Sequence, residues 1–365
     1  MKFIIAFSVI CLLILSCSTK EKTFTVKSVD GVEVISNSTI PANPELKLEL
    51  KEVACINCND ISEKDSSESI QLTNMELDDE GNIYIIDSRK SKIHKFAPDG
   101  KKLLSFGRLG QGPGEFQSAN FFVVWHDTVY VPFQQSLKLL KFSTDGKFIM
   151  DKQYAKIEDF PVVFWKSTKF VNALSITPLP KEGNNIYERH VSIFDEKFNK
   201  LRTFYTDKVD DNVKVVNLNT PPIPSLGVTT DSLVYVPVYS QNEYIVEVFD
   251  FKGNKKQIIR KQYGATPYSK NELERINKAL AENGLTTKST HKNSIYLINI
   301  DKYNRLWVSV AGSEKEKGTT YDIFEKGVYQ NSVKIPVAKT AIVDFIEGKL
   351  VAYDVAQNQV KYFDY

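Results

Sequence analysis

Two cysteines, Cys55 and Cys58, stand in a Cys-x-x-Cys spacing that can support several kinds of chemistry. Such a pair can form a disulfide, act as a redox centre or supply part of a zinc site. Zinc would need further ligands, and the chain contains neither a second Cys-x-x-Cys nor a closely spaced histidine pair. Asn59 stands where a haem-attachment motif has histidine. We therefore expect a local disulfide or two unbonded thiols, with a redox or metal role as the alternative.

The histidines do not favour a zinc-dependent enzyme, because they share no common spacing. They are His94, His126, His190 and His291. Calcium prefers oxygen ligands, and Asp87, Asn120 and Asp231 are candidates for it, although acidic residues are also common in turns. The Gly-x-Ser-x-Gly motif of serine hydrolases is absent from the sequence. The sequence thus assigns no catalytic residue and predicts no cofactor, with calcium as the alternative.

Two tryptophans near predicted turns are candidate ligand contacts. The chain has 17 Tyr, 22 Phe and 3 Trp, and most large aromatic side chains pack in protein interiors. Trp307 lies in a strand-like run that fits such a core position. Trp125 and Trp165 stand near turns, so we expect them nearer the surface, where a small ligand or a glycan could contact them.

The composition excludes several functional classes. Hydrophobic residues make up 42% of the chain, which is too many for a disordered protein. Lys and Arg number 47 and Asp and Glu 45, so the formal net charge is only +2. Nucleic-acid-binding and polybasic membrane-binding proteins carry a larger excess of basic residues. We expect a monomeric protein with no nucleic-acid partner.

Residues 1–16 predict an export signal. Lys2 precedes an apolar run from Phe3 to Leu15, which is short for a bilayer crossing but has the length of a signal-peptide core. Ile14-Leu15-Ser16-Cys17 resembles the lipobox of bacterial lipoproteins. The resemblance implies cleavage before Cys17, acylation of that cysteine with fatty acids such as palmitate, and anchoring to the periplasmic or cell-surface side of a bacterial membrane. An ordinary signal peptide is the alternative.

A phenylalanine that closes a strand-like run and precedes a turn recurs along the chain. The copies are Phe96, Phe142, Phe194, Phe249, Phe324 and Phe363. Asp99-Gly100 and Asp145-Gly146 follow two of them and supply the positive-φ residues of tight hairpins. Units of about 40–50 residues with short strands are typical of β-propeller blades. The repeat therefore predicts an all-β fold, a six-bladed β-propeller of four-stranded antiparallel blades.

One segment interrupts the repeat with a helical pattern. Ser269-Lys270-Asn271-Glu272 is a capping box, apolar residues follow on one helical face, and Asn283-Gly284 ends the pattern. We expect one inserted amphipathic helix near residues 269–283. It would pack on the propeller or, alternatively, dock a partner.

The N-terminal part is expected to complete the ring. Val29-Asp30-Gly31-Val32 predicts a hairpin turn, and a strand within residues 45–55 should join the C-terminal blade, because an open ring leaves unpaired edges. The predicted divisions are a lipoprotein signal peptide at residues 1–16, a tether at 17–22, an N-terminal hairpin and linker at 23–44, and the propeller at 45–365.

The first unit resembles an NHL-type propeller repeat. The likeness rests on residues 79–87 and 92–100, and on the phrase Phe-Gly-x-x-Gly-x-Gly-Pro-Gly-Glu-Phe at 106–116. Together with the turn at 29–32, it makes the chain similar to the six-bladed propeller lipoproteins common in Bacteroidota and related bacteria. Later units lack the Gly-Pro-Gly-Glu loop, so the resemblance implies a fold rather than an activity.

The glycines of this phrase do not predict a phosphate-binding loop. They are Gly107, Gly110, Gly112 and Gly114. A dinucleotide-binding loop has the spacing Gly-x-Gly-x-x-Gly and leads into a helix, whereas here another strand-like run follows. We interpret the glycines as an inter-blade loop that needs unusual φ angles.

Three functions are compatible with the sequence. The first is a non-enzymatic, membrane-anchored scaffold that binds a protein, a small molecule or a glycan. The alternatives are a propeller hydrolase or lyase, with or without calcium, and a carbohydrate-associated surface protein. The polar side chains at the mouths of the central channel should distinguish these functions.

Overall fold

The computed structural model describes residues 22–57, 72–117, 119–166, 171–181, 184–210, 214–216, 218, 225–311, 318–335, 337, 342–346, 348–354, 357 and 359–365. Within these residues the strands form six antiparallel blades around a central channel, with one α-helix. The predicted six-bladed propeller is therefore confirmed. We number the strands along the chain and name the strands of each blade A to D from the channel outwards.

Strands β1 to β13 cover the N-terminal segment and the first two blades. The N-terminal segment contains β1 (Phe24–Val29), β2 (Val32–Asn37) and β3 (Lys51–Asn57). Blade 1 contains β4 (Leu72–Leu77), β5 (Ile83–Asp87), β6 (Lys92–Phe96) and β7 (Lys102–Phe106). The short parallel pair β8 (Arg108–Leu109) and β9 (Glu115–Phe116) follows. Blade 2 contains β10 (Val123–Trp125), β11 (Thr128–Phe133), β12 (Lys138–Ser143) and β13 (Phe148–Gln153), with a 3-10 turn at Gln134–Ser136.

Strands β14 to β22 form the next two blades. After a 3-10 turn at Ile157–Asp159, blade 3 contains β14 (Val163–Lys166), β15 (Val171–Lys181), β16 (Asn184–Phe194) and β17 (Lys200–Asp210). The short strand β18 (Val215–Val216) precedes blade 4. Blade 4 contains β19 (Gly227–Val228), β20 (Leu233–Val238), β21 (Tyr244–Asp250) and β22 (Lys255–Lys261).

The helix and the last two blades complete the chain. Helix α1 (Lys270–Ala281) and the short strand β23 (Thr286–Thr287), which pairs with β18, connect blades 4 and 5. Blade 5 contains β24 (Leu297–Ile300), β25 (Leu306–Ser309), β26 (Thr319–Glu325) and β27 (Val328–Ile335). Blade 6 contains β28 (Ile342–Ile346), β29 (Lys349–Asp354) and β30 (Gln359–Asp364).

The repeated phenylalanines explain why the blades form at this period. Each lies near the end of a C strand and is buried; they are Phe96, Phe142, Phe194, Phe249, Phe324 and Phe363. Among the described residues, six clusters of buried apolar side chains lie one at each interface between neighbouring blades. The core is therefore divided among the interfaces, and burial of apolar surface there closes the ring.

The N-terminal segment straps three blades together. Strand β2 runs parallel to β22 and β1 pairs with β2, so blade 4 becomes a six-stranded sheet. The chain then crosses blade 5, where the backbone N–H of Ala42 donates to the carbonyl of Tyr329 at 3.0 Å. Strand β3 finally pairs with β30 as the outer strand of blade 6. The structure thus contains the predicted closing strand, although it begins at Lys51 and continues to Asn57.

The inserted helix begins with the predicted capping box. The Oγ of Ser269 accepts the backbone N–H of Glu272 at 3.2 Å, and the Oε2 of Glu272 accepts the backbone N–H of Ser269 at 2.8 Å. An ion pair of 2.6 Å between Glu272 and Lys292 ties the helix to the connection that follows it.

The strand directions define two faces of the propeller. The A strands and the C strands end at one face, which we call the A–B face. The B strands and the D strands end at the opposite face, which we call the D–A face. Helix α1 belongs to the D–A face, because it lies in the connection from blade 4 to blade 5.

Candidate functional site

A cavity of about 650 Å³ opens where the central channel reaches the A–B face. All six blades contribute to its wall, because the A strand of each blade lies nearest to the channel and ends at this face. We call this cavity the channel mouth. Its wall has two levels, formed by the ends of the A strands and, further out, by the A–B turns.

Apolar and polar residues occupy opposite sides of the channel mouth at the level of the A strands. Successive blades 2, 3 and 4 contribute Val124, Phe164 and Leu226. Successive blades 5, 6 and 1 contribute the polar residues Asn299, Asp344 and Glu76, and the apolar neighbours Ile300 and Phe345 also line the cavity in blades 5 and 6. The wall is therefore divided into an apolar sector and a polar sector.

The polar sector occupies one register position of the repeat. Asn299, Asp344 and Glu76 each pair with a B-strand residue that belongs to the repeated pattern of the sequence. Those partners are Trp307, Val351 and Tyr84. Sequence reasoning missed the polar sector, in which Glu76 and Asn299 precede their partners by eight residues and Asp344 by seven.

Asp78 stands at the rim in blade 1 and fixes its own turn. Its Oδ1 accepts the backbone N–H of Asn82 at 2.8 Å, and its Oδ2 accepts the hydroxyl of Tyr84 at 3.0 Å. The ammonium of Lys95 lies 3.3 Å from the same carboxylate. Burial by itself raises the pKa of Asp78, but the hydrogen bonds from Asn82 and Tyr84, together with Lys95, hold the pKa below its ordinary value.

Asp301 repeats this arrangement in blade 5. It accepts the backbone N–H of Arg305 at 2.9 Å and the Nε1–H of Trp307 at 2.9 Å. The Nε of Arg305 lies 2.6 Å from its Oδ2. The intervals of four and six residues match those in blade 1. Two rim carboxylates are therefore engaged in holding turns, and sequence reasoning overlooked both.

A side-chain hydrogen bond joins blades 5 and 6 within the polar sector. The Nδ2 of Asn299 donates to Oδ1 of Asp344 at 2.8 Å. Asn299 is only 8% exposed, and its Oδ1 has no hydrogen-bond partner among the described residues. A buried acceptor in this state costs about 1–3 kcal/mol.

A strained turn places two polar residues at the rim in blade 2. His126 and Asp127 have φ angles of 47° and 54° and connect Trp125 to its cross-strand partner Thr128. Positive φ at both positions is typical of a two-residue type I′ hairpin, which usually carries asparagine or glycine. The His126 ring lies 4.5 Å from that of Trp125. The tight turn holds both residues beside the channel mouth.

Trp125 is less exposed than the sequence predicts. It borders the channel mouth but is 6% exposed, because Phe198 packs against its ring at 6.0 Å in an edge-to-face arrangement. Trp165 lies in β14 opposite Asn172, and its side chain is outside the described residues. The structure therefore provides no aromatic platform at Trp125 for stacking a sugar.

The predicted cysteine sites lie away from the channel mouth or outside the described residues. Cys17 and Cys58 are outside them. Cys55 is exposed in β3 opposite Lys361. Partial burial, followed by the charge of Glu52, raises the pKa of the Cys55 thiol despite Lys361.

The glycine-rich phrase packs one aromatic side chain between blades 1 and 2. Its glycines, Gly107, Gly110, Gly112 and Gly114, lie between β7 and β10. Gly107 has a φ of 81°, and a Cβ there would lie 2.6 Å from the ring of Phe116, which is fully buried. The backbone N–H of Gly112 donates to Glu115 at 2.8 Å. These contacts fit the interpretation as an inter-blade loop.

The residues nominated for calcium do not come together. Asp87 is the buried last residue of β5, at the D–A face, where it accepts the backbone N–H of Arg89 at 3.1 Å. Asn120 precedes β10 on the same face, whereas Asp231 lies in an A–B turn on the opposite face. Within the described part of the chain, no group of three or more His, Cys, Asp or Glu side chains is arranged to hold a metal ion.

The fold and the channel mouth define a six-bladed propeller with a ligand-sized central cavity. The chain belongs to the DUF5128 family of six-bladed β-propellers, whose model matches residues 61–340, more than half of the chain.

Solved bacterial propellers are similar in fold. A member of the DUF4221 family from Bacteroides vulgatus is 11% identical with a TM-score of 0.52, over 87% of this chain and 97% of that one. A candidate exported protein from Bacteroides fragilis is 14% identical with a TM-score of 0.48, over 90% and 98% of the two chains. An inactive variant of virginiamycin B lyase from Staphylococcus aureus, solved with quinupristin, is 10% identical with a TM-score of 0.45, over 87% and 99%. At 11% identity, the similarity to the Bacteroides vulgatus protein shows a shared fold and nothing more. No curated protein matches the chain.

None of the helices in the described ranges has both the length and the apolar character needed to span a bilayer.

Proposed function

We propose that this protein is an exported, lipid-anchored binding protein that holds a small ligand in the channel mouth without transforming it. The channel mouth itself carries the proposal. Its volume of about 650 Å³ lies within the range of about 300–1,000 Å³ that is typical of small-molecule sites. Its wall combines an apolar sector with a few convergent polar groups, which is the usual make-up of such sites.

Binding rather than catalysis is supported by the partners of the polar groups. Asp78 and Asp301 each accept several hydrogen bonds that fix a turn. Asp344 accepts a hydrogen bond from Asn299. A general acid or base must be able to exchange a proton with a substrate, and carboxylates that are engaged in this way are poorly suited to do so.

Export and anchoring are supported by the N-terminal sequence. The apolar run from Phe3 to Leu15 ends at a lipobox-like Cys17, and a tether at residues 17–22 would then precede β1. Labelling cells with radioactive palmitate tests this part of the proposal. We expect label in the wild type and in Cys55→Ala, and none in Cys17→Ala. Equal labelling of Cys17→Ala would refute the anchor.

A blocked channel mouth tests the binding site. Val228 borders the channel mouth in blade 4, and Val228→Trp would fill part of it. Ile149→Trp is the matched control, because Ile149 is 50% exposed on β13. We expect that small molecules found by thermal-shift screening will raise the melting temperature of the wild type and of Ile149→Trp, but not of Val228→Trp.

Two results would contradict the proposal. Ligands that stabilise Val228→Trp as strongly as the wild type must bind elsewhere. Conversion of a bound ligand to a new product, detected by mass spectrometry after incubation with the wild type, would show that the protein is a hydrolase, a lyase or another enzyme.

A further inference from the structure

A second cavity, of about 500 Å³, lies between the sheet of blade 2 and the C–D turn of blade 3. We call it the inter-blade cavity, and it shares none of its described lining residues with the channel mouth. Tyr130, Leu139 and Met150 of blade 2 form its floor, and Phe198 of blade 3 borders one side. Its volume also lies within the range of about 300–1,000 Å³ that is typical of small-molecule sites.

Blades 1 and 2 carry the same row of cross-strand neighbours, which consists of a tyrosine, a lysine and an apolar side chain. The row in blade 2, on the floor of the inter-blade cavity, is Tyr130, Lys141 and Met150. The row in blade 1 is Tyr84, Lys95 and Leu104. Each ammonium lies near the ring of its tyrosine, at 5.6 Å from the centroid in blade 2 and 5.1 Å in blade 1. The two lysines therefore hold equivalent positions in their blades.

The lysine of blade 1 has partners that the lysine of blade 2 lacks. Lys95 lies 3.3 Å from the carboxylate of Asp78 and donates to the carbonyl of Thr144, in the C–D turn of blade 2, at 3.3 Å. Lys141 forms no ion pair or hydrogen bond with the residues that the structure describes. Trp125 takes the place of Asp78, because each lies two residues after the A-strand partner of the tyrosine.

The C–D turn of blade 3 cannot replace these partners, because its acceptors already bind another lysine. The ammonium of Lys152 donates to the carbonyls of Lys197 and Phe198 at 2.9 and 2.8 Å, and to the Oδ1 of Asn199 at 2.6 Å. An ammonium has three hydrogens to donate, so Lys152 is fully engaged. Lys141, which is partly exposed and lines the inter-blade cavity, is the cation that remains available to a ligand.

The charges around the inter-blade cavity favour an anion. The charged residues of its described wall are Lys141, Asp151, Lys152, Glu196 and Lys197. Asp151 already pairs with Lys138, which lies outside the wall, at 3.1 Å. Asp195, also outside the wall, acts on Lys152 by its charge. When the Lys138–Asp151 pair is set aside and Asp195 is counted, one positive charge remains in excess, so the cavity attracts anions.

The geometry points to the inter-blade cavity as a second binding site, which takes a carboxylate on an apolar body, such as an aryl- or alkylcarboxylic acid. The carboxylate pairs with the ammonium of Lys141 in a charge-assisted hydrogen bond. The apolar body packs against Met150, which is 54% exposed, and against the edge of the floor. The ligand thus gives Lys141 the partner that Asp78 gives Lys95 in blade 1. The site does not depend on the function proposed for the channel mouth.

Three probes separate the charge of the ligand from its apolar body. We would titrate the wild type with hydrocinnamate, hydrocinnamamide and acetate by isothermal calorimetry at low salt. Hydrocinnamate is expected to bind about tenfold or more tightly than its uncharged amide. Acetate lacks the apolar body and should not bind measurably. Binding of hydrocinnamate should weaken as salt is added, because the charge of a partly exposed lysine is screened.

Substitutions of Lys141 test the cation. Lys141→Met should lower the affinity for hydrocinnamate about tenfold, to that of the amide. Lys141→Arg keeps the charge and should bind within about threefold of the wild type. Lys102→Met is the matched control, because Lys102 is exposed on β7 of blade 1.

A carboxylate supplied by the protein itself tests the same site without removing the lysine. Met150 lies directly opposite Lys141 on the neighbouring strand. Met150→Glu should therefore pair with Lys141 and lower the affinity for hydrocinnamate about tenfold or more. Met150→Gln has a similar shape but no charge, so it should weaken binding less. Thermal melts of all variants show that they are folded.

Three results would overturn the inter-blade site. They are equal affinities for hydrocinnamate and its amide, unchanged hydrocinnamate binding in either Lys141→Met or Met150→Glu, and failure of the wild type to bind hydrocinnamate at millimolar concentration. Val228→Trp, which fills part of the channel mouth, should leave hydrocinnamate binding unchanged. Loss of binding in Val228→Trp would locate the probe in the channel mouth and would also overturn the inter-blade site.

Discussion

Phe198 of blade 3 places its ring 4.4 Å from that of Tyr130 in blade 2, although its backbone has a φ of 55°. The equivalent C–D turn positions of blades 1, 2 and 4 carry glycines with positive φ, Gly100, Gly146 and Gly253. Phe198 is only 1% exposed and also contacts Trp125, which borders the channel mouth. In blade 3, burial of the Phe198 ring, which supports the wall of the channel mouth, offsets the cost of the strained backbone.

The strain predicts that, at position 198, a glycine variant is more stable than an alanine variant. Phe198→Ala should lower the free energy of unfolding by about 3–5 kcal/mol, because a buried ring is lost while the strained backbone remains. Phe198→Gly should cost about 1 kcal/mol less, because glycine relieves the strain. Urea unfolding measures both values. Leu201→Ala, at a side chain that is 54% exposed, should change little, and a glycine variant less stable than the alanine variant would contradict the strain argument.

Asn37 joins the N-terminal segment to blades 4 and 5. This buried side chain donates to the carbonyls of Arg260 in blade 4 at 2.9 Å and Gly327 in blade 5 at 3.0 Å, and it accepts the N–H of Tyr329 at 2.9 Å. Asn37→Ala should lower the free energy of unfolding by about 2–4 kcal/mol, because buried backbone groups lose their partners. Denaturant titration checks this value against Asn242→Ala, an exposed asparagine. Similar losses in the two variants would mean that the N-terminal segment adds no stability through this residue.

A buried ion pair links blades 4 and 5. Asp322 is 2% exposed and lies 2.8 Å from the ammonium of Lys261, and it accepts the hydroxyl of Tyr244 at 3.0 Å. Asp322→Ala should cost about 3–5 kcal/mol, because the largely buried ammonium of Lys261 loses its carboxylate partner. The double variant Asp322→Leu with Lys261→Met should regain most of this loss in a thermal or urea melt. A double variant as unstable as the single one would show that the uncompensated charge is not the cause.

The glycine-rich loop should tolerate no side chain at Gly107. Gly107→Ala would bring a Cβ within 2.9 Å of the Ser91 carbonyl as well as against Phe116, at a φ of 81°. We expect a loss of about 2–4 kcal/mol in unfolding free energy. Gly264→Ala is the control, because a Cβ at Gly264 would meet no atom within 4 Å. Equal stabilities of the two variants would contradict the role given to the loop.

Acid should destabilise the fold through its turn aspartates. The folded-state pKa of Asp78 lies below the ordinary value of 3.8, because the bonds from Asn82 and Tyr84 and the charge of Lys95 outweigh burial. A group of this kind stabilises the fold above its unfolded pKa, and the contribution is lost as pH falls through its folded pKa. The free energy of unfolding should therefore decrease below about pH 4. In Asp78→Asn the decrease should be shallower, and an unchanged pH profile would show that Asp78 does not contribute.

The propeller could be predicted because its determinants are local and repeated. The six phenylalanines lie where their strand-like runs place them, and the closing strand β3 follows from the need to pair the last edge. The parallel pairing of β2 with β22 could not be predicted in the same way. Parallel pairing between distant segments depends on tertiary contacts and has no hairpin signal in the sequence.

The candidate site was harder to predict than the fold. Asp78 and Asp301 have the local signature of ordinary turn residues, and their link to the aromatic side chains of the B strands appears only in three dimensions. Trp125 seemed exposed because a turn follows it, but Phe198 from the next blade covers it. Asn299 and Asp344 meet only because blades 5 and 6 are neighbours.

The direction of β1 has a consequence for how the protein would sit on a cell. β1 is antiparallel to β2, which runs alongside β22, so Phe24 lies at the D–A face. Cys17 and Phe24 are seven positions apart, which limits the tether to about 25 Å. A lipid on Cys17 would turn helix α1 towards the bilayer and the channel mouth towards the surrounding fluid. Solutes would then reach the mouth from open solution, without passing through the gap between protein and membrane.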